Sequence, residues 1–336
     1  MRVKVIVIIS IALISLAASL DKVIPLVYPD YFPKPHYNFI NNPLTQPKTE
    51  LGRALFYDPI LSDDGMVSCA SCHSPYNGFA HTDHALSHGI HDSIGTRNAP
   101  ALFNLAWNKS FMWDGAINHL DMQALAPISH PAEMGSDISD VLTKIQTKPL
   151  YPQLFYKAFG DSLVTTERVL KSLSQFQLTL VSSNSKYDSV QRKESKFSVQ
   201  EQKGYQLFKT HCSTCHTEPL FTNQNLANNG LPVDTSLNDF GRWNLTKITS
   251  DSLLFKIPSL RNLSYTYPYM HDGRFAKLKD VVKHYNTLPS ISNTSLTKPI
   301  KLSSAEQVDL IAFLLTLNDV TFVFDKSHQY PKALLK

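Results

Sequence analysis

The sequence predicts an all-α fold made of two similar units. Each unit repeats one short pattern, a Gly-x-x-x-Phe segment followed by Cys-x-x-Cys-His. Stretches with helical periodicity alternate with loops rich in Gly, Pro and Asn, and no convincing run of strands is present. The two copies of the pattern are Gly52 to Phe56 before Cys69-Ala-Ser-Cys72-His73, and Gly204 to Phe208 before Cys212-Ser-Thr-Cys215-His216.

Composition and the N-terminus bound the class of protein. A chain of 336 residues with 43% hydrophobic and 18% charged residues has room for two globular domains. The net charge of +4 is not gathered into Lys/Arg blocks, so nucleic-acid binding has no support. Arg2 and Lys4 precede an apolar run over residues 5–18, and small residues follow. Residues 1–20 therefore predict a secretory signal peptide and a periplasmic location, with an uncleaved membrane anchor as the alternative.

The first half begins with an extended segment. Residues 21–47 carry prolines at 25, 29, 33, 35, 43 and 47, which favours an arm that wraps a surface rather than a helix. The first domain covers residues 48–190, with helices expected over 49–56, 138–145, 152–158 and 166–182. Residues 187–197 are polar and charged, and this composition indicates a linker.

The second domain, residues 195–336, has two clear helix starts. Ser198-Val-Gln-Glu201 is a capping-box pattern that predicts a helix through Phe208, and Ser303-Ser-Ala-Glu306 repeats it near the C-terminus. Beyond the second box, one apolar face of a closing helix is predicted from residues at helical spacing: Val308, Ile311, Ala312 and Leu315. Each unit then has the plan of a c-type cytochrome, in which a small residue lets an early helix cross a late one closely.

The two Cys-x-x-Cys-His motifs carry the chemistry. Each places two thiols one helical turn apart, where they can form thioethers with the vinyl groups of a haem, and the following His can bind the iron. Zinc, a thioredoxin-like dithiol or disulfides are the alternatives, but none explains a His directly after both second cysteines. The cysteines at 69, 72, 212 and 215, with His73 and His216 as iron ligands, therefore predict two covalently bound haem c groups.

Further motifs resemble the bacterial di-haem cytochrome c peroxidase family, which includes the MauG-like enzymes that mature methylamine dehydrogenase. The resemblance extends from about residue 48 onward. It rests on Glu50-Leu-Gly-x-x-Leu-Phe-x-Asp-x-x-Leu-Ser-x-Asp, Arg97-Asn-Ala-Pro-Ala-Leu, Phe111-Met-Trp-Asp-Gly115, Glu133-Met134, Pro258-Ser-Leu-Arg-Asn262 and Tyr267-Pro-Tyr-Met-His-Asp-Gly273.

This resemblance implies an active site in the first domain. Glu133 falls at the position of the family's acid/base glutamate, ten residues after Gln123 and twenty after Trp113. A carboxyl group there can move a proton between the two oxygens of peroxide, and Gln123 can hydrogen-bond a bound oxygen. Trp113 matches the family's bridging tryptophan between the haems. Without the resemblance to the family, Glu133 would be interpreted as a surface carboxylate and Trp113 as a residue packed in the core.

The resemblance also implies metal ligands. Asn98, Thr266 and Pro268 match an inter-domain calcium position with side-chain and carbonyl oxygens. The distal ligand of the C-terminal haem is methionine in classical members, but here that register falls on Tyr285, as in the MauG-like branch. Met270 and His284 are the alternatives for this ligand.

The ligand state of the first haem stays open. His88 and His91 lie in the loop where classical members hold a displaceable histidine, although neither is at a clearly matching position, and an open first haem is favoured. His81, His84 and His119 are interpreted as solvent-facing or loop-bonding residues.

The leading hypothesis is a periplasmic di-haem peroxidase. It reduces hydrogen peroxide with electrons from a small periplasmic donor, either a cytochrome c or a copper protein. A MauG-like oxidase of a partner protein or organic substrate, and a non-enzymatic di-haem electron carrier, are the alternatives. A homodimer is compatible with the sequence.

Overall fold

A computed structural model describes residues 22–287, 294–296 and 300–335. The predicted signal peptide lies outside the described residues. Among the residues described, no helix combines the length and apolar character needed to cross a membrane.

The described chain is mainly helical, with little sheet. Its first half contains α1 (Gln46–Tyr57), α2 (Cys69–Cys72), α3 (Leu120–Gln123), α4 (Leu125–Ser129), α5 (Ile138–Thr147), α6 (Leu150–Phe159), α7 (Thr166–Thr179) and α8 (Lys186–Gln191). The second half contains α9 (Val199–His211), α10 (Trp243–Thr246), α11 (Leu278–Asn286), α12 (Ser304–Leu315) and α13 (Val320–Val323). Two short strands, β1 (Leu226–Ala227) and β2 (Phe255–Lys256), form an antiparallel pair.

Two glycine-mediated helix crossings confirm the predicted plan of the two units. In the first unit α1 crosses α7, and a Cβ on Gly52 would lie 1.8 Å from the carbonyl oxygen of Ser172. In the second unit α9 crosses α12, and a Cβ on Gly204 would lie 1.9 Å from the carbonyl oxygen of Asp309. Only glycine permits backbones to approach this closely, so the repeated Gly-x-x-x-Phe pattern positions the same crossing twice.

Each unit has its own hydrophobic core, and both ends of the described chain pack against the first one. The N-terminal arm contributes Phe32, Tyr37 and Leu44 to that core. Residues after α12 return to it, because Phe322 and Leu335 are buried in the same cluster. The C-terminal tail thus belongs by packing to the first unit rather than the second.

The segment expected to be a linker begins with a packed helix. Tyr187 and Asp188 of α8 are buried, and Asp188 forms a bidentate ion pair with Arg261, with both N···O distances 2.8 Å. The polar character of this segment therefore reflects a buried charge pair as well as exposed chain, and only residues 191–196 are fully exposed.

The apolar face assigned to α12 was wrong. Val308 and Leu315 are 55% and 44% exposed, whereas Leu310, Phe313 and Leu314 are buried. The helix is apolar on several sides, and α9 packs against the side that carries Phe313. The predicted face is consequently left largely to solvent.

Candidate haem sites

The two pairs of cysteines are placed differently in the two units. Cys69 and Cys72 bound the short helix α2, while Cys212 directly follows α9. All four are free thiols, and burial raises the pKa of Cys69 and of Cys212 to about 12. Both thiols are therefore neutral at neutral pH.

The two proximal histidines are held in one orientation by backbone carbonyls. His73 Nδ1 donates to Phe79 O at 2.8 Å, and His216 Nδ1 donates to Phe221 O at 3.1 Å and to Pro258 O at 3.2 Å. Burial lowers the pKa of each imidazole to about 4. Each ring is therefore neutral with its proton on Nδ1, which leaves Nε2 as a lone-pair donor for iron.

The second motif opens into a large, mostly apolar cavity. Cys212, Cys215 and His216 line it together with apolar side chains of α11 and α12. Thioether-forming thiols, an imidazole donor and apolar walls are the features that a haem requires. The apolar wall residues of the two helices are Leu278, Val281, Val282, Leu310 and Leu314.

The three candidate distal ligands differ in their position relative to this cavity. Tyr285 and Met270 both line it, and burial raises the pKa of the Tyr285 hydroxyl to about 12. Met270 Sδ accepts from Asn229 Nδ2 at 3.4 Å. His284 Nε2 instead donates to Asn229 O at 3.0 Å, so that nitrogen is engaged by the backbone. Among the described residues that line the cavity are Tyr285 and Met270, but not His284.

Trp113 lies between the two units. Its indole Nε1 donates to Asn98 O at 2.8 Å, and its carbonyl oxygen accepts from the amide of Lys256 in the second unit at 2.6 Å. Trp113 also lines the cavity that contains His216. The side chain is thus fixed at the border of the second haem site, where the sequence placed a bridging residue.

The loop that carries Trp113 has a structural counterpart that the sequence reasoning missed. Residues 111–117 and 269–275 each close with a bridge between their first and last residues. In both loops a Met and a Gly have positive φ: Met112 at 67° and Gly115 at 67°, and Met270 at 76° and Gly273 at 68°. His271 therefore occupies in the second loop the place of Trp113 in the first. The signal was present in the parallel patterns Phe-Met-Trp-Asp-Gly and Tyr-Met-His-Asp-Gly.

Glu133 lies beside the first Cys-x-x-Cys-His motif. Burial raises its pKa, and nearby His130, with Nδ1 4.0 Å from Oε1, lowers it by less. The pKa of Cys69 and of Cys72 is raised mainly by burial, and the negative charge of Glu133 raises both further. Gln123 is the last residue of α3, and its Nε2 donates to Met112 Sδ at 3.8 Å.

A histidine-rich loop covers the same side of the first motif. Cys72 Sγ donates to His88 O at 3.3 Å, so this loop touches the motif through its backbone. The ring of His88 stacks on His84 with centroids 4.2 Å apart, and His84 stacks on His81. His91 has a positive φ of 53°.

The three residues of the implied calcium position line the cavity that contains His216: Asn98, Thr266 and Pro268. Asn98 Nδ2 donates to Ala85 O at 2.9 Å, which orients the amide. In the described parts of the chain, no group of three or more His, Cys, Asp or Glu residues could hold a metal ion, so a cation here would depend on amide and carbonyl oxygens.

Two charged residues at the border of the units were missed from the sequence. Lys256 lines the cavity, its Nζ donates to Ser110 O at 3.2 Å, and burial lowers its pKa to about 8. Arg97 bridges the units, because it pairs with Asp114 at 2.7 Å and with Asp239 at 2.6 Å. Both have partners distant in sequence, which no local pattern reveals.

Comparison with known proteins agrees with this architecture. Residues 46–196 match the family profile described as di-haem cytochrome c peroxidase, and residues 201–318 match cytochrome c. The fold and the two motifs thus define a protein with two cytochrome c domains, which imply two covalently bound haem c groups. The chain belongs to the di-haem cytochrome c peroxidase (MauG) family.

Several relatives cover most of the chain. The methylamine utilization protein MauG of Methylophilus methylotrophus is 37% identical over 302 residues, 86% of this chain and 87% of that protein. The cytochrome c551 peroxidase of Nitrosomonas europaea is 35% identical over 273 residues, 80% of this chain and 79% of that protein. A crystal structure of a MauG-like protein associated with microbial copper homeostasis has a TM-score of 0.83 at 28% identity, covering 91% of this chain and 98% of that one.

Proposed function

We propose that this protein reduces hydrogen peroxide to water in the periplasm, with electrons from a small cytochrome c or copper protein. The observation that carries the proposal is Glu133, a carboxyl group of raised pKa beside the first haem-attachment motif. Reduction of one peroxide consumes two electrons and two protons and yields two waters. The reaction therefore needs a proton-transfer group at one site and an electron entry at another.

Glu133 supplies the proton transfer. The bound haem groups would provide the iron that accepts peroxide and the centre that stores an electron. The Glu133 carboxylate takes a proton from one peroxide oxygen and delivers it to the other, which departs as water. The amide of Gln123 donates a hydrogen bond that holds the peroxide in position.

The second unit receives and relays electrons. His216 and Tyr285 are proposed as the two iron ligands there, with Met270 as the alternative to tyrosine. Trp113 lies between the units and offers an aromatic route toward the first site. Asn98 and the carbonyl groups of Thr266 and Pro268 are proposed to bind one calcium ion that stabilises this border.

Replacing Glu133 tests the proposal. Glu133→Gln keeps the shape and hydrogen-bonding capacity but removes the acid/base group, so kcat/KM for peroxide should fall roughly 10²- to 10⁴-fold. In the native protein, activity should decline as the pH falls through the raised pKa of Glu133, because only the carboxylate accepts a proton; this dependence should disappear in the variant. Glu194→Gln, at an exposed carboxylate in the linker, is the matched control. Unchanged peroxide turnover in Glu133→Gln would refute the assignment.

A second candidate function is oxidation of a partner protein or organic substrate. Tyr285 favours it, because a phenolate ligand donates charge to ferric iron and makes oxidised states more accessible than methionine does. Peroxide consumption should then depend on that substrate rather than on a reduced redox protein. Comparing peroxide turnover with and without a reduced cytochrome c separates the two functions.

A further inference from the structure

The two units carry opposite net charges. Residues 48–190 contain ten Lys and Arg against fourteen Asp and Glu, a net charge of −4. Without the C-terminal tail that packs against the first unit, residues 195–315 contain thirteen Lys and Arg against nine Asp and Glu, a net charge of +4. The modest charge of the whole chain therefore conceals a dipole, with its positive end on the second unit.

Part of this positive charge surrounds the second haem cavity. Five exposed lysines each lie within two residues of a side chain that lines the cavity: Lys209, Lys277, Lys279, Lys283 and Lys301. We call them the lysine rim. Across the described residues, none of the five forms an ion pair, and Lys209 lies over the ring of Tyr205.

The acidic residues near the lysine rim are fewer. Asp280 lies on α11, and Glu306 and Asp309 lie on α12. The Glu306 carboxylate is already engaged, since it accepts from the backbone amide and the hydroxyl of Ser303 at the start of the helix. The rim therefore keeps a net positive charge.

Helix α12 connects the lysine rim to the cavity. Its residues Leu310 and Leu314 line the cavity, and the side chain of Gln307 donates to Leu302 O at 3.2 Å, which ties α12 to the segment that carries Lys301. Charged residues at the edge of an interface steer the approach of a partner.

We propose that the lysine rim docks a small electron-transfer protein whose contact surface is acidic. The proposal rests on the proposed function, in which electrons enter from outside through the second haem. A symmetric dimer through this surface would bring the two lysine rims together, and like charges oppose such a contact. Opposite charge on a small donor steers it to the rim and shortens the path from its metal to the haem.

The test compares two reduced donors of opposite net charge, an acidic one and a basic one, in steady-state peroxide turnover. Lys279→Glu combined with Lys283→Glu reverses two rim charges on α11. The KM for the acidic donor should rise about tenfold or more at low ionic strength, while kcat stays unchanged and the KM for the basic donor falls. Added salt should weaken the native protein's binding of the acidic donor.

Lys326→Glu combined with Lys332→Glu is the matched control, because it makes the same charge change on the tail that packs against the first unit. The proposal is overturned if both double variants change the KM equally, or if the native protein prefers the basic donor. It is also overturned if the only effect of the rim variant is a change of oligomeric state, measured by sedimentation, since the surface would then join two copies of the chain.

Failure of the proposed function is detected separately. An uncharged chemical reductant bypasses docking, so peroxide consumption with it tests the function alone. If the protein does not consume peroxide, spectroscopic titration of the acidic donor still measures docking. Salt-sensitive binding that the rim variant loses supports the proposal, and its absence in the native protein refutes it.

Discussion

Removing the guanidinium of Arg261 should cost the protein much of its stability. Arg261 and Asp188 are both fully buried, and Asp188 also accepts from Tyr31 Oη at 2.8 Å and from Ser185 N at 2.7 Å. In Arg261→Met the carboxylate keeps these donors but loses the guanidinium that pairs with it. Stranding one member of a buried pair costs about 3–5 kcal/mol, so the free energy of unfolding should fall by that amount.

The same change should weaken the second haem site. Arg261 lies three residues after Pro258, whose carbonyl oxygen accepts from His216 Nδ1. Arg261 also donates to Pro219 O at 2.8 Å, close to the turn that ends at Phe221, the other acceptor of His216. We therefore expect a broadened or shifted haem spectrum in the variant that maps to one haem only.

The pH dependence of the stability follows from the charge of Asp188. Burial alone raises the pKa of Asp188, but hydrogen bonds and the charge of Arg261, with further bonds from Ser185, leave it below its ordinary value. A depressed pKa stabilises the fold above the pKa of the unfolded state, and this stabilisation is lost as the pH falls through the folded-state pKa. Without Arg261 the pKa of Asp188 rises, so the deficit of the variant should shrink in acid as the carboxyl takes up a proton.

Urea unfolding at neutral and mildly acidic pH measures these effects. Arg261→Met with Asp188→Asn removes both charges and should recover part of the loss, because no buried charge remains. Lys203→Met, at an exposed lysine of α9, is the control and should change stability by less than about 1 kcal/mol. A loss of under about 1 kcal/mol in Arg261→Met, or no recovery in the double variant, would refute the reasoning.

Three further predictions concern the helix crossing and the second site. Gly204→Ala should prevent stable folding of the second unit, since its Cβ would meet Asp309 O at 1.9 Å, as measured by thermal unfolding. Gly160→Ala has open space around it but a φ of 83°, so it should cost only the backbone strain of about 1–2 kcal/mol. Tyr285→Phe should change the ferric spectrum of one haem, and an unaffected spectrum would exclude tyrosine as its ligand and favour Met270. Lys256→Met removes a buried positive charge from the cavity and should lower the reduction potential of the second haem in a redox titration. An unchanged potential would show that the lysine charge does not act on the second haem.

The parts of the fold that sequence predicted are those set by local patterns. The Cys-x-x-Cys-His motifs and the capping boxes at Ser198 and Ser303 depend on neighbours along the chain, and the two crossing glycines were recognised from a short repeated pattern. The face of α12 was mispredicted because the helix is apolar around most of its circumference, so periodicity does not select the buried side. The choice is made by α9 and by the cavity, which belong to the tertiary structure.

The candidate site shows the same division. Haem attachment follows from the residues themselves, whereas Glu133 looks like an ordinary loop carboxylate until the fold places it beside Cys69 and Cys72. Lys256 and Asp188 were not singled out, because their environment comes from segments far away in sequence. Their importance is a matter of burial, which composition alone does not show.

The packing of both chain ends against the first unit ties the molecule together. The N-terminal arm supplies Tyr31 to the Asp188–Arg261 pair, and the C-terminal tail passes back beside α1, where Arg53 donates to Lys326 O and Gln329 O. If the exposed segment 191–196 were cut, the two halves should therefore stay associated. The tail of the second half packs in the core of the first, and Asp188 of the first half pairs with Arg261 of the second. This interlocking holds the two haem-attachment motifs at a constant separation without a covalent crosslink.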